Sequence, residues 1–340
     1  MILVTGGTGL VGSHLLYHLT QKNDRVRAIY RTDEKRIHVK KIFSYFTDNI
    51  ELYFSKIEWV KADITDIPSL EPIFKNIKEV YHCAALVSFN PKDYRKMRQV
   101  NIDGTANVIN FSIENKVKKF CFVSSIAAVG DSINGEVITE ENEWIDTGDN
   151  NGYSISKYGA EMEVWRGSQE GLEVVIVNPG VILGSGFWNE GSGKLFTQIN
   201  NGFKFYTEGI TGFVDVKDVV KVMIQLVESN IKNERFILVS ENKSFKDVLC
   251  KIADELNKKH PSFKAGRLLT SLVWRFDWVL TMLTGKEPLL TKNSARSSHN
   301  ISSYSSKKIE RQLNFKFDKT NRSLEFLSSF FSLDNQETLT

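Results

Sequence analysis

The stretch TGGTGLVG, residues 5–12, constrains this chain more than any other. It follows the apolar run ILVT (2–5) and places Gly6, Gly7, Gly9 and Gly12 within seven positions. Glycine has no Cβ, so its backbone turns sharply and can approach another group closely. An apolar run, a Gly7-x-Gly9-x-x-Gly12 turn and a helical pattern opening near Leu10 predict a strand–turn–helix unit. The start of such a helix carries unpaired N–H groups and a partial positive charge. Gly6, Gly9 and Gly12 therefore mark a place where backbone can cradle the pyrophosphate of a dinucleotide.

Six further apolar runs follow: VRAIY (26–30), IEWVKAD (57–63), EVYHCAA (79–85), KFCFVSS (119–125), EVVIVNP (173–179) and RFILVS (235–240). They are continuous rather than alternating, as in strands buried on both faces. Helical patterns between them predict right-handed crossovers, hence an α/β fold with a doubly wound parallel sheet. After residue 180 the rhythm changes. Residues 182–204 are loop-rich, with Gly184, Gly186, Gly191 and Gly193, and beyond about 241 the pattern is mostly helical. Leu268, Leu269, Leu272, Val273, Phe276, Val279, Leu280 and Leu283 keep helical spacing and predict a helix packed on its own domain, with a lid over a pocket or a membrane-surface helix as the alternatives.

The 340 residues, 41% apolar and 25% charged, suffice for a large core, and a net charge of +3 gives no argument for nucleic acid. Cys83, Cys121 and Cys250 have no metal-type spacing, and two of them lie in strand-like runs as candidate buried thiols. No disulfide framework is implied, and a strand opening at Ile2 leaves no room for a signal peptide, so a cytoplasmic protein is expected. Arg275 and Asp277 interrupt the most apolar long stretch, so no membrane span is expected. His14 and His18 stand one helical turn apart without a third ligand, which favours packing over a metal. Phe187, Trp188 and Phe205 are candidate pocket or core aromatics.

Two features bring chemistry. The acidic residue that would select NAD at the end of the second strand is absent: Tyr30 and Arg31 stand there. A guanidinium at that position attracts a 2′-phosphate, which favours NADP(H) over NAD(H). Asp63, after the third run, is a candidate acceptor from the adenine amino group or a turn residue. Tyr153 and Lys157 then share one face of a helix at i, i+4. An ammonium there would lower the phenol pKa and fit Tyr153 for proton exchange near neutral pH. Ser125 ends a predicted strand, on the edge where open α/β sheets bind ligands, and could bond a substrate oxygen. Together Ser125, Tyr153 and Lys157 describe carbonyl reduction beside a nicotinamide, with Tyr153 and Lys157 also contacting the cofactor, Lys157 at its ribose hydroxyls.

With TGGTGLVG, HCAA (82–85), VNIDGTANVI (100–109), FVSS (122–125), YSISK (153–157), NPGVILG (178–184) and GFVDVKDVV (212–220), the sequence resembles the extended short-chain dehydrogenase/reductase family. NPGVILG and LTGKEPLLTKNSAR (283–296) look like its dihydroflavonol-reductase-like branch. The resemblance implies a Rossmann-like domain over 1–181, with 211–240 returning to it, and a smaller, mostly helical substrate domain from 182–210 and 241–340. It implies Ser125, Tyr153 and Lys157 as catalytic residues. It further implies cofactor contacts from Thr8, Gly9, Leu10, Val11, Arg31, Asp63, Ile64, Ala84, Ala85, Asn101, Ser124, Pro179, Gly180 and Val181, and a homodimer. A small carbonyl or alcohol substrate follows. Sugar dehydration is disfavoured because Ser125 is followed by Ile126, Ala127 and Ala128 rather than carboxylates. Epimerisation, 3β-hydroxysteroid dehydrogenase-like oxidation and a non-catalytic dinucleotide sensor are the alternatives.

Overall fold

The computed structural model describes residues 1–132, 135–145, 150–284, 288 and 290–337. Its strands in chain order are β1 (Ile2–Thr5), β2 (Val26–Tyr30), β3 (Ile57–Lys61), β4 (Glu79–His82), β5 (Lys119–Val123) and β6 (Glu173–Pro179). They continue as β7 (Val181–Leu183), β8 (Phe205–Tyr206), β9 (Ile210–Asp215), β10 (Glu234–Leu238), β11 (Glu241–Ser244) and β12 (Phe263–Lys264). Seven of them form one sheet in the order β10-β6-β5-β4-β1-β2-β3, every ladder parallel. The chain winds outward from β1 to β3, then crosses back to lay β4 against the other side of β1. This is the Rossmann-like layout, with its switch point between β1 and β4.

The continuous apolar runs have the expected cause. Along β1, Ile2 and Val4 join a cluster with Leu15, Leu16 and Leu19 of the Leu10–Lys22 helix and Val219 and Met223 of the Val216–Glu228 helix. Leu3, Val80, Phe120, Phe122 and Ile176 face the other way, against Val108, Ile109, Ala160 and Val164. Both faces are covered, so neither strand face can be polar. The ladders stop earlier than the apolar runs, at Lys61, His82 and Val123. The remaining residues, Ala62–Asp63, Cys83–Ala85 and Ser124–Ser125, turn off the sheet and form the loops at its carboxyl edge.

A second apolar cluster gathers Leu183, Phe196, Phe213, Val248, Ile252, Leu324 and Phe331. It lies around a three-stranded sheet, β11-β9-β7, and the helices Lys194–Asn200, Phe245–Glu255 and Thr320–Glu337. Strand β9 serves both clusters, since Val214 joins the main sheet's and Phe213 joins this one. The Lys307–Leu313 helix returns to the main sheet, where Ile309 is buried and Lys308 pairs with Glu234 at 2.5 Å. Trp188 sits in the second cluster, Phe187 stands edge-on to His38, and Phe205 is exposed.

The helix expected over 268–283 is present as Arg267–Thr284, but Leu268, Leu269, Leu272, Val273, Phe276 and Leu280 do not pack inward; the side chains of Val279 and Leu283 lie outside the described residues. Leu268, Leu272 and Phe276 are 84%, 68% and 67% exposed. Its inward positions are taken by Thr270, Trp274, Asp277 and Thr281, so the hydrophobic spacing marks the outer face.

Candidate active site

The glycine turn closes with Gly9 N–H donating to Gly6 O at 3.0 Å. Positive φ falls on Gly6, at +67°, one residue before the Gly7-x-Gly9 spacing. A Cβ on Gly6 would lie 2.5 Å from Ala84 N, and one on Gly12 would lie 2.2 Å from Gly6 O. Both positions admit only glycine. Gly9, by contrast, is exposed, and its nearest protein neighbour would be an ordinary 3.5 Å away. The turn is thus packed behind and open in front. The Leu10–Lys22 helix that follows has no acidic residue in its first turn, so its N-terminal partial charge is uncompensated. These features fit the pyrophosphate of a dinucleotide.

Arg31 follows the last residue of β2, and its side chain is 56% exposed, 3.9 Å from the Asp63 carboxylate. Asp63 also accepts from Thr65 N at 2.9 Å and Thr65 Oγ1 at 2.8 Å, which makes it a turn residue as well. A second guanidinium, Arg36, stacks 5.1 Å above the Tyr30 ring. Ile64 is buried in the core, and its carbonyl accepts from Asn107 Nδ2 at 3.0 Å. Ala84 and Ala85 open the loop after β4. Asn101 lies in a π-helical turn, Gln99–Asp103, and clamps that loop. Its Oδ1 accepts from Leu86 N at 2.7 Å, and its Nδ2 donates to Leu86 O at 3.0 Å and Ser156 Oγ at 2.9 Å. Pro179, Gly180 and Val181 join β6 to β7, and Gly180 N–H donates to Leu238 O at 3.0 Å.

Behind the loop runs a buried chain of hydrogen bonds. Thr105 Oγ1 donates to Asn101 O at 2.5 Å, so it must accept from His82 Nε2, 2.9 Å away. His82 Nδ1 then accepts from Thr5 Oγ1 at 2.5 Å, which itself accepts from Ala84 N at 3.4 Å. The chain requires a neutral imidazole. Burial, with Lys157 nearby, pushes the His82 pKa down to about 3.

Ser125, Tyr153 and Lys157 meet at the end of β5. Ser125 is extended and caps the short turn Ile126–Ala128, its Oγ accepting from Ala127 N at 3.1 Å. The Gly152–Gln169 helix starts beside it, capped by Asn151 Oδ1 on Ser154 N at 2.8 Å, with Ser154 Oγ donating to Ala127 O at 2.7 Å. Those two caps bring the Tyr153 hydroxyl to the Ser125 hydroxyl. Lys157 does not act on the phenol as its i, i+4 spacing predicts. Its ammonium reaches under β5, donates to Val123 O at 2.7 Å and lies 4.7 Å over the Phe122 ring. Burial raises the Tyr153 pKa, and the bond with Ser125 opposes it. Burial lowers the Lys157 pKa to about 8, against the pull of Glu161 and Cys83.

Sequence reading missed Glu161, the residue that braces this arrangement. Fully buried, it accepts from Ser124 Oγ at 2.7 Å and Asn178 Nδ2 at 2.9 Å, and pairs with Arg235 at 3.3 Å. Asn178 Nδ2 also donates to Ser125 O at 3.0 Å. One carboxylate therefore joins β5, β6, β10 and the Gly152–Gln169 helix. The signal was present: Tyr153, Lys157 and Glu161 repeat at i, i+4, i+8 on one helix face. His14 and His18 are packing residues. His14 stands edge-on to Phe46 at 5.6 Å, and burial pushes its pKa down to about 3.

The model of the NAD dependent epimerase/dehydratase family matches residues 2–238. The chain belongs to that family, the extended short-chain dehydrogenases/reductases, and is an NAD(P)-dependent oxidoreductase. It is 31% identical to an anthocyanidin reductase of Arabidopsis thaliana over 289 residues, 76% of this chain and 80% of the relative. It is 25% identical to a putative dihydroflavonol 4-reductase of Synechocystis over 319 residues, 91% and 88%. Among solved structures it resembles a UDP-glucose 4-epimerase of Thermus thermophilus in complex with NAD, with TM-score 0.74 and 18% identity over 97% and 98% of the two chains.

Proposed function

We propose that this protein reduces a ketone or aldehyde of small or medium size with NADPH, and catalyses the reverse oxidation of the alcohol. The bound dinucleotide supplies or takes up the hydride at its nicotinamide ring. In reduction the carbonyl oxygen would rest between the hydroxyls of Ser125 and Tyr153. Ser125 donates a hydrogen bond to it as negative charge grows there, and Tyr153 delivers its proton to the same oxygen, giving the alcohol. Lys157 holds a positive charge beneath the site at neutral pH. The lobe around β7, β9 and β11 would form the far wall of the substrate pocket.

The meeting of Ser125, after β5, with the start of the Gly152–Gln169 helix that carries Tyr153, at the carboxyl edge of the sheet, is the observation that carries this reading. A phenol kept protonated by burial suits the acid that reduction requires. The reductase names of the two relatives agree with that direction. The exposed Arg31 guanidinium, with Arg36 close behind Tyr30, supports a 2′-phosphate on the cofactor.

Tyr153→Phe is expected to lower kcat by about 10²- to 10⁴-fold while NADPH affinity is unchanged. Arg31→Ala is expected to weaken NADPH about tenfold and leave NADH unaltered. A Tyr153→Phe enzyme with full turnover would overturn the acid role. A wild-type protein that binds NADH as well as or better than NADPH would overturn the cofactor preference.

A further inference from the structure

The Arg267–Thr284 helix is built inside out. Thr270, Trp274, Asp277 and Thr281, spaced as one helical line, are buried or half-buried, as is the neighbouring Ser271. Thr270 Oγ1 pairs with His299 Nε2 at 2.9 Å, and Asp277 Oδ2 accepts from Leu290 N at 2.8 Å. The opposite line, Leu268, Leu272 and Phe276, points outward, with Trp278 and Met282 on its flank, 54% and 63% exposed. The Val216–Glu228 helix does the reverse and buries Val219, Val220, Met223 and Leu226.

The apolar surface extends beyond this helix. The short β8–β12 ribbon leads into it through Ala265 and Gly266, and exposes Phe203, Phe205 and Phe263. Their rings follow one another at 6.1 and 5.9 Å. Positive charge is concentrated at the same place. Residues 256–284 hold Lys258, Lys259, Lys264, Arg267 and Arg275 against one acid, Asp277, in a chain whose whole net charge is only +3. All five cations are exposed; Lys264 is paired with Glu208, which leaves Lys258, Lys259, Arg267 and Arg275 as the cations without a carboxylate partner among the described residues. Arg275 folds back on Ser271 O at 2.8 Å and over the Trp274 ring at 4.6 Å. Among the described residues no helix is long and apolar enough to cross a membrane.

We propose that this helix and the β8–β12 ribbon seat the protein on the surface of an anionic lipid bilayer. The Leu268–Leu272–Phe276 line and the phenylalanines enter the boundary between headgroups and acyl chains, and the lysines meet lipid phosphates. A protein partner would need only the apolar line. Tryptophan beside an apolar helix face ringed by lysine and arginine is the pattern of an interfacial helix.

The test uses the full chain with vesicles of phosphatidylglycerol and phosphatidylcholine in equal parts, and with phosphatidylcholine alone. Co-sedimentation is expected with the mixed vesicles, at least about tenfold weaker with the neutral ones, and reduced by salt. Leu272→Ser combined with Phe276→Ser is expected to lower the partition coefficient at least about tenfold. Both side chains are exposed, so the thermal midpoint and circular dichroism should be those of the wild type. Absence of binding to mixed vesicles would overturn the proposal, as would binding that survives both substitutions. So would a wild-type dimer that the substitutions convert to monomer without any vesicle binding.

Discussion

Tyr153, Lys157 and Glu161 show how much one helix face can carry. Spacing put the first two on that face, and the tertiary structure separated their roles. The phenol turns to Ser125, while the ammonium turns under β5 to Val123 O. Glu161 is where a single substitution reads most clearly. Glu161→Gln keeps the shape but removes the charge that faces Arg235, leaving a largely buried cation with only the Glu140 and Asn142 carbonyls. A loss of about 3 kcal/mol is expected in urea unfolding. The same carboxylate holds the Lys157 pKa up, so its loss should move the alkaline fall in activity to lower pH. A pH–rate profile unchanged in this variant would show that Glu161 acts on the fold alone.

The strand–turn–helix unit at the N-terminus was readable because its chemistry is local. Only glycine fits at Gly6 and Gly12, and the sequence displays that directly. The Gln99–Asp103 π-turn was not readable, because nothing in its composition distinguishes it from the α-helical turns on either side. Its consequence is the Asn101 clamp on Leu86. Asn101→Ala should cost about 1–3 kcal/mol, since two backbone groups of Leu86 lose their partner. Hydrogen exchange should speed up at the Leu86 amide while the β4 amides stay protected. The Arg267–Thr284 helix carries the opposite lesson. Its apolar period was right for a helix and wrong for which side is buried, because periodicity finds a face without saying what covers it.

Across the whole molecule, two buried histidines tie stability to pH. Burial lowers His14 and His82 to about 3, whereas an unfolded chain protonates each near the ordinary 6.5. Between those values the unfolded state binds more protons, so stability is full above about pH 6.5 and falls as pH drops. Each histidine adds a slope of up to about 1.4 kcal/mol per pH unit. Denaturant midpoints measured from pH 7 down to 4 should follow this, and replacement of either histidine by an uncharged residue should flatten the slope. Lys157 acts on the other side. Burial lowers its pKa to about 8, so its charged form burdens the fold below that value and the burden is lifted as pH rises toward 10.5.

The sequence alone determined the parallel sheet, its glycine turn and Ser125, Tyr153 and Lys157 as the proposed catalytic residues, because continuous apolar runs, obligatory glycines and i, i+4 spacing are short-range signals. The tertiary structure decided the rest: the neutral imidazole of His82, the carboxylate of Glu161 at four elements' meeting point, and the outward face of the Arg267–Thr284 helix. Each depends on groups brought together from distant parts of the chain: spacing put Glu161 on the face of Tyr153 and Lys157, but the partners it meets there come from other strands.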